Sequence, residues 1–423
     1  MLDILAAAAI GGFDVEAATR GYLDTLQGPA RARSDAYFEG GYWLILWGTL
    51  VGVLIDWLLL RSRLSAAFRD LGERLSKRRW IVTFATAALY TLVGWIIALP
   101  WTIYTGFWRE RRYGLLDQSF GAWLGETLTG FAISLVLVPL VVVAIYALIR
   151  RLPRWWWAWA TGVVGLFLLI GVVLGPVFIA PLFNTYAEME AGPLRQKIEG
   201  IAAREGIPAE HIYVFDQSKQ HKRISANVSG LGPTIRISLN DNLLERTSEP
   251  EILAVMGHEM GHYKLNHIWV LFGVFLALAA LGLFVTSRVA PWLLRRYGQR
   301  WGVRDLADPA SLPVLGISMA VFFFLATPLT NSLIRWNESQ ADVFGLDAAR
   351  EPDGFAKVAM RLSEYRKIEP GALEEALFFD HPSGSTRVRM AMEWKARHFA
   401  NPQIVLPEPG YLDPPAEQPA AAN

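Results

Sequence analysis

Long apolar runs, each long enough to cross a bilayer, alternate with shorter polar stretches along this chain. Six such runs lie at roughly 41–60, 80–105, 127–149, 155–183, 268–290 and 312–334. A helix needs about 20 apolar residues to span the hydrocarbon layer, and each run meets that length. Buried helices of a large soluble protein are the plain alternative, but six such runs in one chain rarely occur without a membrane. Trp155, Trp156 and Trp157 open the fourth run as an interfacial aromatic belt would. The pattern predicts a mainly α fold: a multi-pass transmembrane helical bundle of about six spans.

The polar stretch between the fourth and fifth runs, 184–266, has its own pattern. It predicts a helix over 193–205 and β-rich pieces at 211–215, 222–228 and 234–239. Gly230, Gly232 and Pro233 read as the hairpin turn between the last two. Helical patterning resumes after the sixth run and continues to about 400. The end, 402–423, carries six prolines and predicts a disordered tail. The first 13 residues form a short apolar run with Asp3 and no basic residue ahead of it, which does not suit a signal peptide. The segments are therefore 1–40, a four-span bundle 41–183, a polar α+β unit 184–267, two further spans 268–334, a helical part 335–401 and the tail. No internal repeat is visible, which argues against a transporter built from inverted halves.

Composition sharpens this picture. Of the 423 residues 53% are hydrophobic, and the net charge of +1 suggests no nucleic-acid partner. There is no cysteine, so a zinc site must use histidines and carboxylates. Lys and Arg are unevenly placed: 15 lie in the loops around 61–79, 150–154 and 288–304, against six in the alternate loops. The positive-inside rule puts the richer side in the cytoplasm and the polar segment outside. Asp56 and Glu126 sit in or near apolar runs, where ion pairing near a span end is the plain reading and a polar cavity the functional one.

The sharpest chemical signal is His258-Glu259-Met260-Gly261-His262. Histidines four apart share one helical face and can reach one ion, and Glu259 is then placed to take a proton from water and pass it to a leaving amine. Two surface histidines on a helix is the bland alternative. A catalytic zinc needs a third protein ligand and an open position. His267, five residues after His262, falls off the face of the pair. Glu338 is the natural ligand, with Asp342 one turn on to hold a ligating imidazole. An ordinary helix turn rich in acids is the plain alternative there. The His pair precedes the fifth run and Glu338 follows the sixth, so two crossings return all three to one membrane face.

These residues, with further matching pieces across about 99–392, resemble the type 1 CAAX prenyl protease family of integral-membrane zinc metallopeptidases, Glu-ligand zincins. The pieces include Leu99-Pro100-Trp101, Ala180-Pro181-Leu182-Phe183-Asn184, Asp216-Gln217-Ser218 and Arg236-Ile237-Ser238-Leu239-Asn240. Further ones are Lys264-Leu265-Asn266-His267, Arg335-Trp336-Asn337-Glu338, Gln340-Ala341-Asp342, and His381-Pro382 with Arg387. The resemblance implies a small α+β zincin-like catalytic domain on the membrane bundle and one Zn2+ per chain, held by His258, His262 and Glu338. It also implies a general base in Glu259, and His381 and Arg387 as groups that stabilise the oxyanion or grip substrate. Unaided, His381 reads as a turn residue before proline.

In this sequence Ser225-Ala226-Asn227 stands where the family has Asn-Ala-Tyr, on the strand that the resemblance implies binds peptide by strand addition. Substrate choice is therefore expected to differ. The expected substrate is a peptide or a segment of a membrane protein, with a prenylated CAAX tail and quality control of membrane proteins as the two enzymatic readings. A non-catalytic scaffold or a transporter is the rival class. The Ala-, Arg- and Trp-rich composition points to a bacterial inner membrane. The family topology implies a cytoplasmic or intramembrane site, opposite to the side that charge favours.

Overall fold

The computed structural model describes residues 12–230, 235–408 and 411–412. Among them, six helical segments are long and apolar enough to cross a membrane: Gly28–Arg61, Arg79–Arg112, Phe120–Arg151, Trp156–Leu182, His267–Trp301 and Pro309–Ala349. The regular helices are α1 (Val15–Leu23), α2 (Gly28–Arg61), α3 (Leu64–Leu75), α4 (Arg79–Ile103), α5 (Phe120–Arg151) and α6 (Trp156–Leu174). They continue as α7 (Pro193–Glu205), α8 (Asp241–Arg246), α9 (Glu249–Lys264), α10 (His267–Trp301), α11 (Leu312–Ala349), α12 (Pro352–Leu362), α13 (Ala372–Phe378) and α14 (Gly384–His398).

The first span begins at Gly28 rather than near 41. Pro29 in its first turn pre-sets the helical φ there. At 34 residues α2 is about 51 Å long, well beyond the about 30 Å hydrocarbon layer. Its surplus rises beside the polar part of the chain: Ser34 Oγ donates to the Ser363 carbonyl, Tyr42 Oη donates to Glu374 at 2.9 Å, and the Tyr42 ring stacks on Phe378. The helix thus ties the membrane-spanning part to the helices that follow the sixth span.

The span ends fall on two faces. On the Arg-rich face Arg63 donates to the Arg300 carbonyl at 3.0 Å, Arg69 pairs with Asp308, and Arg150 donates to the Ala307 carbonyl. These bonds join the loops after α2, α5 and α10. Asp56 is buried and accepts from Tyr90 at 2.7 Å, while Glu126 accepts from Gln220 at 3.0 Å.

The polar unit holds a four-stranded sheet of β1 (Tyr186–Glu188), β2 (Ile212–Phe215), β3 (Ala226–Ser229) and β4 (Arg236–Asn240) in the order β1-β2-β4-β3. β3 and β4 are antiparallel, with Asn227 opposite Ser238, and β2 runs parallel to β4. Gly232 and Pro233 of the expected turn lie outside the described residues. The strand expected from 222 starts only at Ala226. Asn240 accepts from the Ser225 N–H and donates to the Arg223 carbonyl, and Asn242 donates to the His221 carbonyl, so side chains take the bonds that a ladder would need. β1 was not expected; three residues carry too little pattern to register. One sheet face packs Ile212, Ile237 and Leu239 against Ile252, Met256 and Met260 of α9.

A second core joins α1 to α12 and α14 through Ala18, Tyr22, Phe355, Met360, Val388 and Met392. The described part of the tail lies against it without regular structure: Tyr22 Oη donates to the Val405 carbonyl at 2.6 Å, Lys395 to the Gln403 carbonyl, and Tyr411 to Glu251.

Candidate metal centre

α9 starts where Glu251 accepts from the Ser248 backbone N–H at 2.9 Å, with Pro250 in the first turn. Its middle is the His258–His262 turn. Gly257 and Gly261 face α11 with no side chain to hold the helices apart: a methyl on Gly257 would sit 2.8 Å from the Gly345 carbonyl oxygen, and one on Gly261 would sit 3.2 Å from Ala341 Cα. This close approach delivers the α11 acids to the α9 histidines.

Three side chains converge. His258 Nε2 and His262 Nε2 are 3.0 Å apart, and they lie 3.3 and 3.4 Å from the two oxygens of Glu338. A tetrahedral ion with bonds of about 2.1 Å keeps its ligand atoms about 3.4 Å from one another, so this triangle has the dimensions of a metal site. Among the described residues these three form the group able to hold a metal ion. The electrostatics agree. Burial alone would lower the His258 pKa, but Asp342 and Glu338 carry it up to about 10, so the two carboxylates favour positive charge at this point.

The surrounding groups fix the donors. His258 Nδ1 lies 2.8 Å from Asp342 Oδ1. Arg387 donates from Nε to Asp342 at 2.9 Å and from Nη2 to Glu338 at 3.3 Å, and both acids hold its guanidinium protonated against the pull of burial. His381 Nε2 is 3.2 Å from Glu338 Oε2, and its Nδ1 is 2.7 Å from Asp380. Burial and then Arg366 push the His381 pKa below its ordinary value. Burial and then His258 push His262 down to about 3, leaving it a neutral donor.

His267 sits where helical spacing did not place it. Leu265 and Asn266 end α9, Asn266 has φ 58° in the left-handed region, and α10 restarts at His267. The ring thereby turns back onto the pair. His267 Nδ1 is 3.0 Å from His262 Nδ1, and its Nε2 is 3.1 Å from Gln340 Oε1. Its Nδ1 faces His262 and its Nε2 faces Gln340, so neither ring nitrogen is turned to the ion position. The break at Asn266 was the one signal available, since Asn tolerates positive φ.

A cavity of about 230 Å3 opens beside the triangle, lined by Ser225 and Ala226 together with His258, Glu259, His381 and Arg387. Val255, Phe355, Val358 and Leu362 give it an apolar wall. Asn227 lies on β3 but is not among the lining residues. Burial lifts the Glu259 carboxyl to about 7, with the His258 imidazole opposing, which suits a group that must take up a proton and hold it.

Known proteins resemble this chain in both its membrane-spanning and its polar parts. A family model described as "Peptidase family M48" matches residues 188–395, and one described as "CAAX prenyl protease N-terminal, five membrane helices" matches residues 25–185. The chain is 28% identical over 347 residues to an uncharacterized metalloprotease, YhfN, of Bacillus subtilis, covering 81% of each chain. It is 29% identical over 309 residues to the CAAX prenyl protease 1 homolog of Arabidopsis thaliana, covering 70% of this chain and 69% of that one. With the CAAX prenyl protease 1 of Saccharomyces cerevisiae it shares 25% identity over 309 residues, 69% of this chain and 68% of the other. The crystal structure of S. mikatae Ste24p superposes with a TM-score of 0.70 at 17% identity, covering 91% of this chain and 97% of that one, which shows a common fold.

Proposed function

The chain belongs to peptidase family M48 and is a membrane metalloendopeptidase resembling CAAX prenyl protease 1, and on that premise we propose that His258, His262 and Glu338 hold one Zn2+. The observation that carries this is the 3.0–3.4 Å triangle of donor atoms beside the cleft. The absence of cysteine and the two-imidazole, one-carboxylate set favour zinc with a position left for solvent. When bound, such a cation makes water more acidic and polarises a carbonyl.

The chain's own groups do the rest. The Glu259 carboxylate takes the proton from the attacking water and delivers it to the leaving amine. Asp342 orients His258, and Arg387 spans Asp342 and Glu338 while lining the cavity, so that it also faces the substrate carbonyl. His381 has Nδ1 against Asp380, so a second proton on the ring makes Nε2 a donor. Developing negative charge on the carbonyl oxygen favours that form, which makes His381 an oxyanion partner. β3 is the outer strand of the sheet and Ser225 and Ala226 line the cleft, so an extended substrate adds along 225–227.

The substrate is a peptide segment presented at the membrane surface. The names of the relatives make a prenylated C-terminal tail one class. Turnover of membrane-protein segments is the second reading, since Ser225 and Ala226, which line the cleft, begin a stretch that departs from the family's Asn-Ala-Tyr. The cleft lies on the face opposite the Arg-rich loops, so the positive-inside rule turns it outward from a bacterial inner membrane. Cleavage by added protease of a tag placed after Asn423, in cells whose outer membrane has been removed but whose inner membrane is sealed, supports that side; protection until lysis reverses it. For the chemistry, the purified chain is incubated with a quenched fluorogenic peptide. Loss of hydrolysis on chelation and its return with Zn2+ support the proposal, and hydrolysis undiminished by complete metal removal ends it.

A further inference from the structure

A second cavity, of about 570 Å3, lies far from the catalytic cleft, between the C-terminal ends of α2 and α10. Its floor is Leu50, Val53, Leu54, Leu293 and Ile317; its upper part is Trp57, Tyr297 and Trp301; its mouth is Arg61 and Arg300. The two helices end on the same side, since Arg63 from the loop after α2 donates to the Arg300 carbonyl. The residues are therefore sorted by depth. At about 1.5 Å per residue, Leu50 lies about 16 Å below Arg61, and Leu293 about 10 Å below Arg300. One leaflet of hydrocarbon is about 15 Å thick, so the α2 wall from Leu50 to Trp57 spans a single leaflet with Arg61 at its surface, while the α10 wall, which also carries Arg288, Arg295 and Arg296, borders the headgroup layer.

The mouth is unusual in its charge. No acidic residue lines the groove, and neither guanidinium takes part in an ion pair among the described residues, whereas neighbouring Arg69 and Arg304 pair with Asp308 and Glu73. Tyr297 and Trp301 stack at 5.3 Å and form a wall of the kind found at headgroup level. We infer that this groove is a binding site for one anionic phospholipid of the leaflet on the Arg-rich face, with the phosphate between Arg61 and Arg300 and an acyl chain along Leu50–Trp57. Charge complementarity selects the headgroup, and the depth of the apolar floor selects a lipid over a soluble phosphate.

The full chain, purified in detergent, is titrated with dioleoyl phosphatidylglycerol or dioleoyl phosphatidylcholine, and retained lipid is counted by native mass spectrometry. One phosphatidylglycerol is expected to be retained in preference to phosphatidylcholine. Each arginine at a membrane surface contributes about a factor of five, so R61Q/R300Q is expected to weaken retention about 25-fold. R61K/R300K is expected to keep it, as is R295Q/R296Q, which removes charge nearby but not from the groove. Val53→Trp leaves both charges and fills the floor, so it too is expected to lose the lipid; it serves as the test should R61Q/R300Q fail to fold, with peptide hydrolysis as the folding check. Equal retention of the two lipids, retention undiminished in R61Q/R300Q or in Val53→Trp, or displacement by glycerol 1-phosphate at equal concentration would each overturn the site.

Discussion

Gly257 and Gly345 meet backbone to backbone: a methyl on Gly257 would stand 2.8 Å from the Gly345 carbonyl, and one on Gly345 would stand 2.7 Å from the His258 amide nitrogen. The metal triangle depends on this approach, because two of its donors ride on α9 and the third on α11. Gly345→Ala is expected to push the helices apart, at a cost of about 1–3 kcal/mol for overpacking. Metal per purified chain, read by elemental analysis, is expected to fall with it. Gly273→Ala, where an added methyl meets nothing within 4 Å, is the control and is expected to keep its metal. Full metal loading of Gly345→Ala would show that the helices tolerate separation.

Glu259 lines the cleft without holding any neighbouring ring in place. Its replacement by Gln is expected to leave metal content and fold intact and to lower kcat by about 10²–10⁴, the range of a lost general base. Single-turnover hydrolysis of a fluorogenic peptide, beside metal analysis of the same sample, makes the distinction. Unchanged kcat in a metal-loaded variant would remove Glu259 from the reaction.

His381 touches Glu338 at 3.2 Å, yet the proposed role is toward the oxyanion. His381→Ala is expected to lower kcat by about 10²–10³ with KM little changed, as for loss of one oxyanion donor. A fall in metal affinity with kcat retained at saturating Zn2+ would instead make His381 a support for Glu338.

How much of this was legible follows from range in sequence. The six spans and the His258–His262 pair are written in local pattern, at periods that one helix repeats. Glu338 is suggested by the acid-rich turn after the sixth run and supported by the count of crossings and by the resemblance. The resemblance pointed to His381 and Arg387, which local pattern does not mark. The extension of α2 to Gly28 was not legible, because Ser34, Tyr37 and Tyr42 look solvent-facing until Ser363 and Glu374 of the C-terminal helical part, and Glu110, pack beside them. Nor was the irregular path of 222–225, which depends on the amides of Asn240 and Asn242. The groove at Arg61 and Arg300 joins residues more than two spans apart, and each arginine alone reads only as topology.

The contact between His267 and Gln340 gives the sharpest test of what sequence spacing could not reach. With Gln340 Oε1 accepting from Nε2–H, His267 Nδ1 is left to accept from His262 Nδ1–H, which turns the His262 Nε2 lone pair toward Glu338 and the metal position. Asp342 does the same for His258. His267→Ala is therefore expected to weaken Zn2+ binding about 10–100-fold, the usual loss when the partner of a ligating histidine is removed. Competition against a chromogenic chelator measures it independently of catalysis. Gln340→Leu removes the acceptor and frees the His267 tautomer, so a smaller loss in the same direction is expected. Asn266→Gly keeps the left-handed turn and is expected to bind as the parent does, while Asn266→Val strains it and is expected to follow His267→Ala. Zn2+ affinity unchanged in His267→Ala would mean that Glu338 and the α9 backbone alone fix the His262 ring.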